Sequence, residues 1–174
     1  MMQAEAKQMR LVDPILAEMD QEAEITKRLF DIIPEDKLDW RPHPKAKSLG
    51  ELAMHIAGLQ GGVAELTKED TVEIPDFPPD PTPANRAEIF AAFAESLKKA
   101  KEIVGSMDDA GAMAEYTITK NGQTLMTAPR IAFWRSILLN HNYHHRGQLS
   151  TYLRTLDVPL PSIYGPSADT NPFA

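Results

Sequence analysis

The stretch PRIAFWRSILLNHNYHHRGQLSTYLRTL, residues 129–156, decides what kind of molecule this is. It opens on a proline, meets no further proline until Pro159, and repeats apolar or aromatic residues at three- and four-residue steps: Trp134, Ile137 and Leu138, then Leu149, Tyr152 and Leu156. That period is helical, and Val158-Pro159 and Pro161 set its end. Between the two apolar groups the same stripe carries His141 and His145. At about 100° per residue both fall within about 20° either side of the line through Trp134 and Tyr152, so both are expected to face the interior. His144 lies toward the edge of the stripe, Tyr143 and Arg146 face away from it, and Gln148 returns to the inward face beside His145.

Three further helices are predicted to cover this one. Asp13-Pro14 offers a cap with proline at the first helical position, and Leu16, Met19, Ala23, Thr26, Phe30 and Ile33 follow with helical spacing until Pro34 stops them. After the loop PEDKLDWRPHPKAK, Ser48 and Glu51 form an S-x-x-E capping box. It opens a helix from about Leu49 to Thr67 with the stripe Leu52, His55, Ile56, Leu59, Val63 and Leu66. A third helix is expected from near Thr82-Pro83 through Ile89, Phe90, Phe93, Leu97, Ala100 and Val104 to about Met107.

The linker KEDTVEIPDFPPDPT favours extended chain of about 3.1 Å per residue, enough to span a bundle roughly 30 Å tall, so helices two and three are expected to run parallel. AEYTITKNGQTLMT predicts a short hairpin about Asn121-Gly122. The expected fold is all-α, a four-helix bundle, with residues 1–174 forming a single domain and no internal repeat.

Composition narrows the function. With 43% hydrophobic and 25% charged residues, the chain reads as an ordinary globular protein. No apolar run approaches the roughly 18 residues of a membrane span, and MMQAEAKQMR lacks the apolar core of a signal peptide, so the expected location is cytoplasmic. The absence of cysteine excludes disulfides, thiolate metal sites and a cysteine nucleophile. A net charge of -7 without a Lys/Arg stripe argues against nucleic acid.

The inward histidines carry the chemistry. One buried histidine alone is more simply a hydrogen-bonded core residue, and His55 taken singly reads that way. A pair at i and i+4 changes this. His141 and His145 project side by side, suited to one cation, and burying two imidazoles without partners is costly. With His55 as a third inward imidazole near the start of helix two, the set suits a divalent transition metal and leaves a coordination position open. Such a site leaves the ion's charge uncompensated by carboxylate and should bring the pKa of bound water toward about 7. His144 reads as an exposed or outer residue, His43 as a loop histidine, and Arg146 as solvated or ion-paired, with a structural contact to a loop as the sharper alternative. Gln148 reads as a buried amide or a partner of a ligand imidazole, and Trp134 and Tyr152 as core or pocket wall. Glu51 is accounted for as a cap, no general base is evident, and the tail VPLPSIYGPSADTNPF is expected to fold back over the bundle mouth.

Two segments, IIPEDKLDWRPHPKAKSLGELAMHIAGL and HNYHHRGQLSTYLRTLDVPLPSIYGPSAD, with the run H-x-x-H-H-R-G-Q at residues 141–148, resemble the DinB-like family of damage-inducible four-helix-bundle proteins. That family includes the YfiT-like metal hydrolases, is related to bacterial thiol-dependent transferases, and is distinct from the polymerase sharing the DinB name. The resemblance covers nearly the whole chain. It implies an up-down-down-up arrangement, a metal held by His55, His141 and His145, and a homodimer. It further implies hydrolase or thiol-transferase chemistry on a small molecule, the latter with a low-molecular-weight thiol. Zinc or nickel is the expected ion, with iron or manganese as alternatives. The competing reading is a non-catalytic metal-binding stress-response protein in which the ion fastens helices two and four together; a third, three mutually hydrogen-bonded histidines without metal, carries little weight beside the resemblance.

Overall fold

A computed structural model describes residues 8–173; the expectation about a leader rests partly on residues 1–7, which lie outside them. The chain is mostly helical, with a small three-stranded sheet. Helix α1 spans Asp13–Asp31, α2 Leu49–Leu66 and α3 Arg86–Ser106, followed by a short α4, Asp109–Met113. The C-terminal helical run is composite: α5, Arg130–Phe133, a π-helical segment, Trp134–Leu139, and α6, Asn140–Thr155. Strands β1, Thr71–Glu73, β2, Glu115–Lys120, and β3, Gln123–Pro129, form the sheet in that order. Among the described residues no helix is long and apolar enough to cross a membrane.

Local chemistry sets most of the ends. The capping box on α2 forms as expected: Ser48 Oγ accepts from Glu51 N at 3.2 Å, and Glu51 carboxylate accepts from Ser48 N at 2.7 Å. In α1 the cap position is Val12, one residue before the expected Asp13. Asp13 is the first helical residue, and its carboxylate accepts from the Arg10 backbone and guanidinium instead. Helix α3 begins three residues later than Pro83 suggests, because Asn85 caps it by accepting from Glu88 N at 3.1 Å. The hairpin β2–β3 turns on Asn121 and Gly122, both at positive φ (51° and 73°), as a tight two-residue turn requires. Strand β1 is an addition. Part of the linker expected only to span distance pairs in parallel with β2, Val72 opposite Ile118.

Pairwise contacts fix the directions. Helix α3 runs with α2, since Gly50 lies beside Pro83, Gly61 N donates to Ser96 Oγ at 2.8 Å, and Glu65 pairs with Lys99 at 2.9 Å. It runs against α1, with Phe30 edge-on to Phe93 and Asp20 paired with Lys101. The C-terminal run opposes α2, Trp134 meeting Thr67 at one end and Tyr152 meeting Lys47 at the other. It follows α1, with Arg135 on Glu18 and Arg146 on Glu22. The interior is two apolar clusters, one around Met19, Tyr116, Trp134 and Leu138, the other around Phe30, Ile56, Phe93 and Leu149. Between them lies a buried polar layer that includes Glu22, Gln60, Asn142 and Arg146.

Candidate metal centre

Two helices deliver the three histidines. His55 sits in the second turn of α2, His141 in the first turn of α6 directly after the π-helical segment, and His145 one turn later. The expected trio is brought together: one ring nitrogen from each of His55, His141 and His145 lies within 4.8 Å of the others, and all three side chains are half-buried. His145 Nε2 is 2.7 Å from His141 Nε2, and the His55 ring centroid is 4.4 Å from that of His145. The histidines do not occupy the middle of the buried stripe, however. That stripe is Trp134, Leu138, Asn142, Arg146, Leu149 and Leu153, and the histidines form its flank facing α2.

Burial, followed by the neighbouring imidazoles of His55 and His144, depresses the pKa of His141. His145 is pushed down to about 4, chiefly by burial, against the opposing effect of the hydrogen bond it donates to Gln148. Both rings are therefore neutral near pH 7, the form that ligates a cation. Their tautomers follow from their partners. Gln148 Oε1 lies 2.7 Å from His145 Nδ1, which donates to it and leaves the lone pair on Nε2. His55 Nδ1 lies 3.2 Å from Asp80 Oδ1 and donates to that carboxylate, which leaves Nε2 as the ring nitrogen free to take a ligand position. That Nε2 is buried and has no hydrogen-bond partner. An orphaned imidazole nitrogen, with the two neutral imidazoles of His141 and His145 beside it, fits a divalent transition ion.

Asp80 is the residue that sequence reasoning missed. It lies in the proline-rich linker, far in sequence from every histidine, and pairs through its other oxygen with Lys47 Nζ at 2.6 Å. The remaining candidates take plainer positions. His144 is exposed, its ring 4.9 Å from that of His145, and His43 is a loop residue whose Nδ1 accepts from Lys45 N. Gln148 is exposed yet still holds a candidate ligand ring. Trp134 is core, donating to Thr67 Oγ1 at 2.9 Å, and Tyr152 packs edge-on against Trp40.

Arg146 forms the ion pair and the loop contact expected of it but departs from the expected outward face. It is 2% exposed rather than outward-facing, paired with Glu22 at 2.5 Å and held between the Tyr143 and Tyr164 rings. Tyr164 belongs to the tail, which folds back as expected but onto α1 and α6, where its hydroxyl donates to Glu22 at 2.7 Å.

The tail therefore contributes none of the lining of the cavity beside the histidines. This cavity, about 750 Å³, reaches His55 and His141 and is walled by α2, the linker, the hairpin and the C-terminal run. Its lining is mostly apolar, including Leu59, Val63, Ile118, Met126 and Ile137, with Lys47 and Asp80 at the histidine end.

Comparison with known proteins agrees with this architecture. A sequence model of the DinB superfamily matches residues 18–149, a span that includes all three histidines. The uncharacterized protein YrdA of Bacillus subtilis strain 168 is 23% identical over 168 residues, covering 91% of this chain and 90% of YrdA. Among solved structures, a DinB-like protein from Bacillus cereus ATCC 10987 superposes with a TM-score of 0.65 at 20% identity, covering 86% of this chain and 95% of that one. The DinB-like protein YjoA of Bacillus subtilis gives a TM-score of 0.65 at 18% identity, over 87% and 97% of the two chains. The family match spans well over half of the sequence, and the chain belongs to the DinB superfamily.

Proposed function

We propose that this is a divalent-metal protein in which His55, His141 and His145 hold the ion, and that it acts as a metal-dependent hydrolase or thiol-dependent transferase on a small molecule. We read the chain as one domain, an up-down-down-up four-helix bundle with a hairpin inserted before the last helix; the pairwise helix directions support that reading. Zinc or nickel is the proposed ion, with iron or manganese as alternatives, and a homodimer is the proposed assembly.

The observation that carries the proposal is the convergence of three imidazoles at one end of a mostly apolar cavity. Bound there, a divalent ion would supply the Lewis acidity that lowers the pKa of a coordinated water or thiol. The chain's own contribution is positional. Asp80 and Gln148 fix the protons of His55 and His145 on Nδ1, turning both Nε2 atoms inward. The apolar walls lie away from that end, along the rest of the cavity. A purely structural ion fastening α2 to α6 is the competing reading; the cavity's access to His55 and His141 favours an open coordination position.

Elemental mass spectrometry on untagged protein, purified without a metal column, tests this directly. Near-stoichiometric zinc or nickel is expected in wild type and in His144→Ala, with at least a tenfold loss in His141→Ala. Equal occupancy in all three proteins sinks the ligand assignment. Water exchange at the cobalt-substituted site separates the catalytic from the structural reading, because a closed site exchanges none.

A further inference from the structure

Helix α2 carries four glycines, Gly50, Gly58, Gly61 and Gly62, although glycine weakens a helix relative to alanine. Packing explains two of them. A Cβ on Gly50 would lie 2.8 Å from Pro83 Cδ, and one on Gly61 would lie 2.9 Å from Ser96 Cα, so the first site is closed by the residues leading into α3 and the second by α3 itself. Gly58 and Gly62 are different: a Cβ on either meets nothing within 4 Å. They are one turn apart on the helix face that also presents His55, Leu59, Val63 and Leu66, and all six residues line the cavity. Bare backbone at these two positions keeps the floor of the cavity open where side chains would fill it.

From His55 to Leu66 this floor extends about 16 Å along the helix. Its polar groups gather at one end, where Lys47, Asp80 and the histidines stand. Its other walls are apolar, and Phe77 on the linker is left 64% exposed at the rim. Walls from four separate segments enclosing about 750 Å³ suit one small molecule rather than a helix of another protein.

The geometry points to an elongated amphiphile as the ligand: an apolar body lying along the Gly58–Gly62 face of α2, with an anionic oxygen or sulfur donor head at the histidines. The body's site stands on the cavity and the glycines alone. The head's site rests on the proposed metal, since imidazole ligands bring no negative charge and leave the ion's positive charge for an anion to offset.

Calorimetric titration of the zinc-loaded protein with straight-chain carboxylates from butanoate to decanoate tests the proposal. Affinity is expected to rise about fourfold for each added methylene, the ratio that full burial of a CH₂ gives. Gly58→Leu and Gly62→Leu are expected to weaken decanoate binding at least tenfold while leaving zinc affinity unchanged. Leucine is the better helix former and has open space at both positions, so neither variant should unfold more readily. A flat chain-length series in wild type, or undiminished decanoate binding in both variants, overturns the proposal. If the protein takes up no zinc, the same series on the metal-free protein still decides. A retained length dependence supports the glycine-floored site and removes only the metal reading, whereas a flat series removes the site.

Discussion

At the scale of single residues, His145 is where folding and proton binding meet. Its ordinary pKa of 6.5 falls to about 4 in the folded protein, chiefly because burial disfavours the imidazolium. Between those values the unfolded chain binds the proton that the folded chain refuses, so stability rises with pH across this window. The contribution is fully present above about pH 6.5 and is lost as the pH falls through the folded value near 4. His141, shifted in the same direction, adds to it. In chelator-treated protein, the urea midpoint of wild type is therefore expected to fall from pH 7 to pH 4.5 more steeply than that of His145→Ala, with both flat from pH 7 to pH 8. Parallel profiles would falsify the assignment of buried neutral imidazoles. These histidines were legible in the sequence because helical spacing and apolar neighbours are local facts. Asp80 was not, because only the fold brings it to His55.

At the scale of elements, the C-terminal helical run shows where local reading fails. Its existence and ends follow from apolar period and prolines, as does the capping box of α2. The choice of inward face did not, because two buried positions, Asn142 and Arg146, are polar and the apolar pattern therefore favours the flank. The π-helical segment at Trp134–Leu139 adds to the error, since its wider turn breaks a count at 100° per residue. Arg146 is tolerated inside because Glu22 neutralises it and the Tyr143 and Tyr164 rings cover the guanidinium. Removing one partner leaves the other buried and unpaired. Arg146→Met is expected to cost about 3–5 kcal/mol in chemical denaturation, and Glu22→Leu to cost a comparable amount. The double variant should recover most of that loss, because breaking a buried pair is far worse than replacing it. A double variant as unstable as the sum of the two would mean that the polar layer is held by other contacts.

At the scale of the whole molecule, the linker between α2 and α3 joins three tasks that its sequence advertises only as one. Its length and prolines allow α2 and α3 to run parallel, which the observed contacts bear out. It also supplies β1 to the sheet and places Asp80 beside both His55 and Lys47. Neither could be read in advance, since β1 exists only through its partner β2 and Asp80 has a role only once α2 lies beneath it. Pro75, Pro78, Pro79 and Pro81 restrict this segment to extended conformations, which lowers the entropy lost in holding Asp80 at its post. Two variants separate stiffness from charge. Asp80→Ala is expected to weaken zinc binding 10- to 100-fold, as loss of a carboxylate that orients a ligand imidazole does. Replacing the four prolines with alanine should weaken it less, while speeding amide exchange across residues 74–82. If the prolines act through Asp80, adding their replacement to Asp80→Ala causes no further loss of zinc affinity; multiplying losses would show that the linker shapes the site by a second route.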